Sequence, residues 1–383
     1  MKIDDVIIRQ ATVKDRKEIW SFLELAYGER ARYKFPDRWN WQYLNNPNWR
    51  NNNLPVWLAI NNGRIIGQSN ALFSKIKINK KIIYAGWSTD TVILPEYRGS
   101  GIGTRLQDFK LKNIKNYMAI NIAFYNRRIM KKIGAHSGNK VTILKKYFSV
   151  NKNIIAQSMI YRTRKNKIIN KLISLSIKFF FIHIIISFIL NKLFIIRNKL
   201  KQFSIKQLNQ VEIVEISKFD KQIDQLWERV KNDYDICSVR KHEQLNWKFH
   251  LQPDVDYRFF LAKKGKEVCG YSILRKCVPP EKKKLVISDL FGRKNDSIIF
   301  RALINHAVNL FKDEVPLIEC ATSINSIKQE LIKNGFVISE VEIPMFYSGV
   351  INNWKKILEK KDSWFLSKSS SDWDQYHIVN NNR

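Results

Sequence analysis

Cysteine is scarce in this sequence, and what little there is excludes several chemistries. Its 383 residues include four cysteines, Cys237, Cys269, Cys277 and Cys320, and no two of them form a Cys-x-x-Cys pair. That spacing supports neither a zinc site nor a disulfide framework, so small buried thiols in a reducing compartment are expected. No Ser-His-Asp triad, metal cluster or carboxylate pair for glycoside hydrolysis can be traced, and no metal is expected. The opening Met1-Lys2-Ile3-Asp4-Asp5 lacks the apolar core of a secretory signal, which makes cytoplasmic residence the expectation. Acidic residues are also few: 34 face 67 Lys and Arg, a formal charge of +33. Such a field attracts polyanions. Here, however, Lys, Asn and Ile are over-used throughout and the charge is spread rather than clustered, as an AT-rich coding sequence would produce. Nucleic acid is therefore not the expected partner.

Apolar residues make up 45% of the chain, which excludes a disordered protein. The length suits two domains. In the first 150 residues a short strand at Val6–Arg9 precedes a helix capped by Thr12, with Ile19, Trp20, Leu23 and Leu25 as its apolar face. Strand-like runs follow at 56–60, 65–78 and 82–94, then a glycine loop, a helix over 104–116, a strand over 118–125, a short helix ending at Gly134 and a strand over 141–148. The expected class is α/β with mixed sheets.

The second half repeats this order. Asn40-Trp41-Gln42-Tyr43 recurs 206 residues later as Asn246-Trp247-Lys248-Phe249. Leu58-Ala59 with Gly67 recurs as Leu261-Ala262 with Gly270. The expected organisation is one copy at 1–150, a basic and apolar helical linker at 151–209, a second copy at 210–350 and a polar tail at 351–383, with Ser367–Ser371 flexible. Within the linker, 172–196 is long enough to span a bilayer, but Lys178, His183 and Lys192 interrupt it. An interdomain helix, an interfacial membrane helix with peripheral contact and a true span all remain open.

The chemistry concentrates in Asp90-Thr91-Val92-Ile93-Leu94-Pro95-Glu96-Tyr97-Arg98-Gly99-Ser100-Gly101-Ile102-Gly103-Thr104. A strand ends at a proline, glycines turn the backbone, and a helix starts at once. Free N–H groups and the positive end of the helix dipole then converge on one point, which suits a diphosphate. The spacing fits neither the dinucleotide fingerprint nor a P-loop.

Pro-x-Tyr-Arg-Gly-x-Gly-Ile-Gly resembles motif A of the GCN5-related N-acetyltransferases (GNAT), whose Arg-x-x-Gly-x-Gly is matched by Arg98, Gly101 and Gly103. The resemblance implies two tandem GNAT-like domains, the second degenerate, since Asp289–Asp296 lacks the paired glycines. It implies acetyl-coenzyme A as co-substrate, with its pyrophosphate on Arg98, Gly99, Ser100, Gly101, Ile102, Gly103 and Thr104. Pantetheine would run along Val92, Ile93 and Leu94, with Asn126 lining its channel. Asp90 is the candidate base, or a strand-end aspartate bonded to a loop. The family's acid, a Tyr four residues before Gly-Phe, is replaced by Met130 before Gly134-Ala135; Tyr125 is the substitute candidate, or a packed tyrosine. Trp39 and Trp49 are acceptor-site candidates, and Trp41, which recurs as Trp247, is assigned to the core. The implied activity is acetyl transfer to an amine, such as an aminosugar or another small amine. Two rivals stay open: a tRNA-dependent aminoacyl transferase, and a non-catalytic membrane-surface protein.

Overall fold

Strands dominate both halves of the chain, and the computed structural model describes residues 5–132, 134–148, 210–277 and 283–374. The first half holds β1 (Ile7–Gln10), α1 (Arg16–Tyr27), β2 (Val56–Asn61), β3 (Arg64–Ile78), β4 (Lys81–Ile93), α2 (Ile102–Asn113), β5 (Asn116–Ala119), α3 (Phe124–Lys132), β6 (His136–Ser137) and β7 (Val141–Tyr147). The second holds β8 (Glu212–Ile216), α4 (Lys221–Val230), β9 (Ile236–Ser238), β10 (Tyr257–Lys264), β11 (Glu267–Cys277), β12 (Lys284–Gly292), α5 (Ser297–Phe311), β13 (Leu317–Thr322), α6 (Asn325–Lys333), β14 (Val337–Glu342), β15 (Met345–Ser348) and α7 (Trp354–Glu359). The apolar segment 172–196 lies outside the described residues. Among those that are described, no helix is long and apolar enough to cross a membrane.

Two compact units form, and they do not follow the contiguous copies expected from sequence. Among the described residues, one draws on 5–141, 218–255 and 342–374, the other on 142–148, 210–217 and 256–341. The cause is an exchange of strands. The first unit's sheet runs β1-β2-β3-β4-β5-β15-β6, with β9 paired to β3, so β15 from the end of the second half enters it. Met345 pairs antiparallel with both Ala119 of β5 and Ser137 of β6. The second sheet runs β14-β7-β13-β12-β11-β10-β8, and β7 from the first half lies beside β13.

In the first unit, alternation along β2 feeds two cores because both faces of the sheet are covered. Trp57 and Ala59 pack with Ile102 and Leu106 of α2. Val56 and Leu58 pack with Ile19, Phe22 and Leu23 of α1. Fully burying one such side chain contributes roughly 2 kcal/mol. The apolar face of α1 is thus shifted from the expected one: Trp20 is 43% and Leu25 58% exposed, and Phe22 takes their place. At the β2–β3 turn, Asn62 and Gly63 have φ of 47° and 73°, the left-handed pair of a tight hairpin.

The repeat is visible in register. Ala59 pairs with Gly67 and Ala262 with Gly270, and each β-ladder is displaced by a bulge at the next residue. Asn40–Leu44 and Asn246–His250 each form a short π-helical turn. Both turns belong to the first unit, where Trp41 stacks on Trp247 at 5.0 Å and donates its Nε1–H to the Trp247 carbonyl at 2.9 Å. The core assignment of Trp41 follows directly.

The tail also departs from expectation. Trp364 is 1% exposed and stacks on Trp87 at 6.0 Å. Phe365 N–H donates to the Ile236 carbonyl, and Ile236 N–H to Ser363, both at 2.8 Å. Ser367 and Ser369–Ser371 are buried, and Lys248 Nζ donates to the carbonyls of Ser369 and Ser371. A run of serines reads as a linker only if nothing receives it. Here backbone partners do.

Candidate active site

The glycine loop begins where β4 ends. Leu94 N–H donates to the Ile66 carbonyl, and its side chain, 3% exposed, anchors the strand end in the core. Residues Pro95–Tyr97 form one 3-10 turn. Arg98 Nε donates to the Ile93 carbonyl at 3.0 Å, so Arg98 braces the loop. Ser100 Oγ donates to the Tyr97 carbonyl at 2.6 Å, turning that side chain inward.

Gly99 and Gly101 have φ of 81° and 86°, a conformation that side chains disfavour, and a Cβ on either would meet no atom within 4 Å. The loop is therefore open. Ladder bonds of α2 start with Thr104 and Arg105 N–H on the Gly101 carbonyl, so the N–H groups of 99–103 have no acceptor among the described residues. No acidic residue occupies the first turn of α2. Five amides without an acceptor thus lead into and open a 12-residue helix, at the positive end of its dipole. Two details correct the expected set: Thr104 spends its amide within the helix, and the Ile102 side chain is fully buried, leaving only its backbone. At Gly103 a Cβ would meet Ile93 at 3.8 Å and Ile129 at 4.0 Å, which is ordinary contact. The protein itself does not require glycine there; an anion close to the backbone would.

The second unit has no such cradle. Between β12 and α5 only Arg293–Asp296 intervene, and the Asp296 carboxylate accepts from Ile299 N–H at 3.2 Å. A carboxylate of the chain already holds the helix end where a phosphate would sit.

Beside the loop the sheet opens. β4 and β5 pair only at Gly86–Tyr117 and Trp87–Met118, yet β4 continues to Ile93. Beyond Trp87 its β5-facing edge carries no partner strand among the described residues. A bulge at Asp90–Thr91 shifts the β3–β4 register, and Asp90 has φ 41°. The result is a cleft of about 240 Å³ lined by Ser88–Thr91, Ile120–Ala123 and Asn126, with Tyr27, Lys34, Asp372 and Trp373 completing it.

Asp90 faces this cleft with its side chain 7% exposed. It pairs with Lys34 and accepts from Tyr43 OH at 2.7 Å; the Tyr43 hydroxyl also lies 2.9 Å from Thr89 Oγ1. Burial alone would lower the Lys34 ammonium, but Asp90 outweighs it and holds Lys34 above the usual lysine range. Burial and the Asp90 charge push the Tyr27 and Tyr43 phenols up, so both stay protonated. In the second unit the β11–β12 register shifts at Ser288, and the neighbouring Asp289 accepts from Tyr271 OH at 2.8 Å. That tyrosine lies on β11 and is not the counterpart of Tyr43, which the repeat matches to Phe249, so the Asp90–Tyr43–Lys34 arrangement belongs to the first copy.

The other sequence candidates divide. Asn126 lines the cleft, and Val92 and Ile93 lie on the open part of β4. Tyr125 does not end a strand: β5 stops at Ala119, and Tyr125 sits in the first turn of α3, 53% exposed and outside the cleft lining. Trp39 is 1% exposed, packed between Phe35 and Tyr43. Trp49 packs on Phe73 at 4.4 Å and donates to the Asn53 carbonyl. Neither tryptophan lines the cleft, whose aromatic members are Tyr27 and Trp373. Lys34, Tyr43, Asp372 and Trp373 were not singled out from sequence, since no motif links them and only folding brings them to Asp90.

Residues 7–135 match the family model of the acetyltransferase (GNAT) domain. No curated protein matches the chain in sequence. Among solved structures, a GCN5-related N-acetyltransferase from Anabaena variabilis is similar at TM-score 0.55 and 11% identity, covering 89% of this chain and 72% of its own. A GCN5-related N-acetyltransferase from Kribbella flavida gives TM-score 0.53 and 10% identity, with 89% and 70% covered. Eis1 from Mycobacterium abscessus gives 0.50 and 12%, with 90% and 73% covered. At these identities the structural likeness speaks to fold, and the sequence match speaks to the loop-bearing copy. Residues 7–135 thus match a GNAT acetyltransferase domain in sequence, and the fold around them is like that of solved GNAT structures.

Proposed function

We propose that the chain transfers an acetyl group from acetyl-coenzyme A to an amine. One observation carries this reading: an open cradle of backbone amides ends the same strand that walls the cleft. Residues 99–103 fit a diphosphate, and the unpaired edge of β4 at Val92 and Ile93 fits the amides of pantetheine. A thioester so held would supply an activated carbonyl beside Asp90. The acceptor amine attacks it directly, and the protein contributes orientation and proton handling. With Asp90 balanced by Lys34, Asp372 leaves the cleft lining one carboxylate in excess to attract an ammonium group, and Trp373 and Tyr27 offer faces for the acceptor's body. An aminosugar or another small amine fits these features. The tRNA-dependent rival would leave the open amides without an occupant.

The test is calorimetric titration with acetyl-coenzyme A, together with thiol release over a pool of amines. Gly103→Glu is the informative variant, because an acidic side chain in the first turn suits the helix but opposes a diphosphate. Binding should weaken on the order of a hundredfold, with the melting temperature retained. Unchanged affinity would remove the loop from the reading.

A further inference from the structure

Lys110 of α2 is fully buried in the first unit, as are the two hydroxyl residues it meets, Ser69 and Tyr117. Its Nζ donates to Ser69 Oγ of β3 at 2.6 Å and to Tyr117 OH of β5. In the sheet β4 lies between those strands, so one side chain of α2 ties together the two neighbours of β4. An ammonium and a neutral amine both carry the two hydrogens this needs, so the tie does not depend on charge. Two further bonds bring in β4 itself. Ser69 Oγ lies 2.8 Å from Thr91 Oγ1, and Gln107 Nε2, one turn earlier on α2, donates to Thr91 Oγ1 at 3.3 Å.

The tie stands where the sheet changes. Tyr117 belongs to the first of the two residue pairs that join β4 to β5, Gly86–Tyr117 and Trp87–Met118, after which the strands part. Ser69 falls at the β3–β4 register shift, opposite Asp90 and Thr91, between the pairs Gln68–Val92 and Asn70–Thr89. A bulge leaves its extra residue outside the ladder, so side chains must fix it. Asp90 and Thr91 both wall the cleft. Packing does not account for a lysine here: burying its polar head costs free energy, and a methionine would fill a similar volume without that cost.

We infer that Lys110 is a positioning residue for the acyl transfer. It holds β4 where that strand leaves β5, and through Ser69 and Thr91 it fixes the bulge that turns Asp90 into the cleft. This rests on the acetyltransferase reading above. In that reading the thioester runs along β4 at Val92 and Ile93, and the acceptor amine meets it beside Asp90. A shift of β4 by about 1 Å would misalign the two reactants, which costs on the order of a hundredfold in rate. Lys110 touches no substrate and acts only through the hydroxyls. The diphosphate cradle lies two helical turns away, at the start of α2, so cofactor affinity should not depend on this lysine.

The experiment compares the full wild-type chain with Lys110→Met. The variant should melt at or above the wild-type temperature and keep its Kd for acetyl-coenzyme A, yet lose on the order of a hundredfold in kcat. Wild-type kcat overturns the inference, whatever the melting temperature. Backbone hydrogen exchange reads the same tie without turnover: the amides of 88–93 should exchange faster in Lys110→Met. Unchanged exchange there also overturns it. Thr91→Val keeps the shape and both Lys110 bonds but frees β4 from Ser69 and Gln107. It should lower kcat about tenfold with cofactor affinity retained, which keeps the test open if Lys110→Met fails to fold. Wild-type kcat in Thr91→Val overturns the role given to the bulge. A wild-type chain that releases no thiol with any amine instead defeats the acetyltransferase reading; faster exchange in Lys110→Met would still show that the lysine holds the strand.

Discussion

At Asp90 a positive φ, a strand bulge and an ion pair occupy one position. The bulge turns the carboxylate toward the cleft, and Lys34 and Tyr43 then hold it there. The folded pKa of Lys34 lies above its ordinary value of 10.5. Its contribution to stability is therefore fully present below that value and is lost only as pH rises through the higher folded one. Lys34→Met should cost on the order of 2 kcal/mol, between exposed and fully buried pairs, and the cost should be constant from about pH 6 to 9. Adding Asp90→Asn should recover part of the loss, because the stranded carboxylate is then gone. Denaturant melts of the cycle read both effects; simple additivity would show that the pair is not coupled. Position 90 was legible because it stands a few residues before a recognisable loop. Its partners were not legible. Lys34 and Tyr43 lie about fifty residues upstream in a segment whose tryptophans drew attention instead, and Trp39 turned out to fill the core beneath Tyr43.

Among the elements, those with local signals matched expectation best. The β2–β3–β4 meander, with its Asn-Gly turn, and the glycine loop leading into α2 each carry their geometry in a few adjacent residues. The tail carries none. Its serines and lysines look solvated, and only their backbone partners on distant strands make them part of the fold. Trp364 is the residue that commits it, lying between Trp87 and Phe346 with ring distances of 6.0 and 5.8 Å. Trp364→Ala should cost about 3 kcal/mol, the usual range for losing a buried ring. It should also loosen Asp372 and Trp373, which follow it into the cleft. The expected outcome is a lower denaturation midpoint together with a raised KM for the amine and little change in that for acetyl-coenzyme A. A variant with wild-type melting would mean that the tail is not docked through this ring.

For the whole molecule, the duplication was legible and the exchange was not. Repeated side-chain patterns such as Leu58-Ala59 with Gly67 and Leu261-Ala262 with Gly270 survive because each copy needs the same register and the same close approach at glycine. Strand alternation tells which face is buried but not which neighbour the edge will find. β7 and β15 carry no mark of the sheet they join. Their exchange nevertheless decides what can fold alone. Residues 1–148 by themselves would leave β5 and β6 without β15 between them, exposing backbone edges and the faces that Met345 and Phe346 cover. The second half would lack β7 between β13 and β14 in the same way. Each half expressed separately should therefore be insoluble or molten, while co-expression of the two as separate chains should yield a soluble complex. Size exclusion and near-ultraviolet circular dichroism decide the matter. A first half that is monomeric, cooperatively folded and able to bind acetyl-coenzyme A would show that its sheet closes without the borrowed strand.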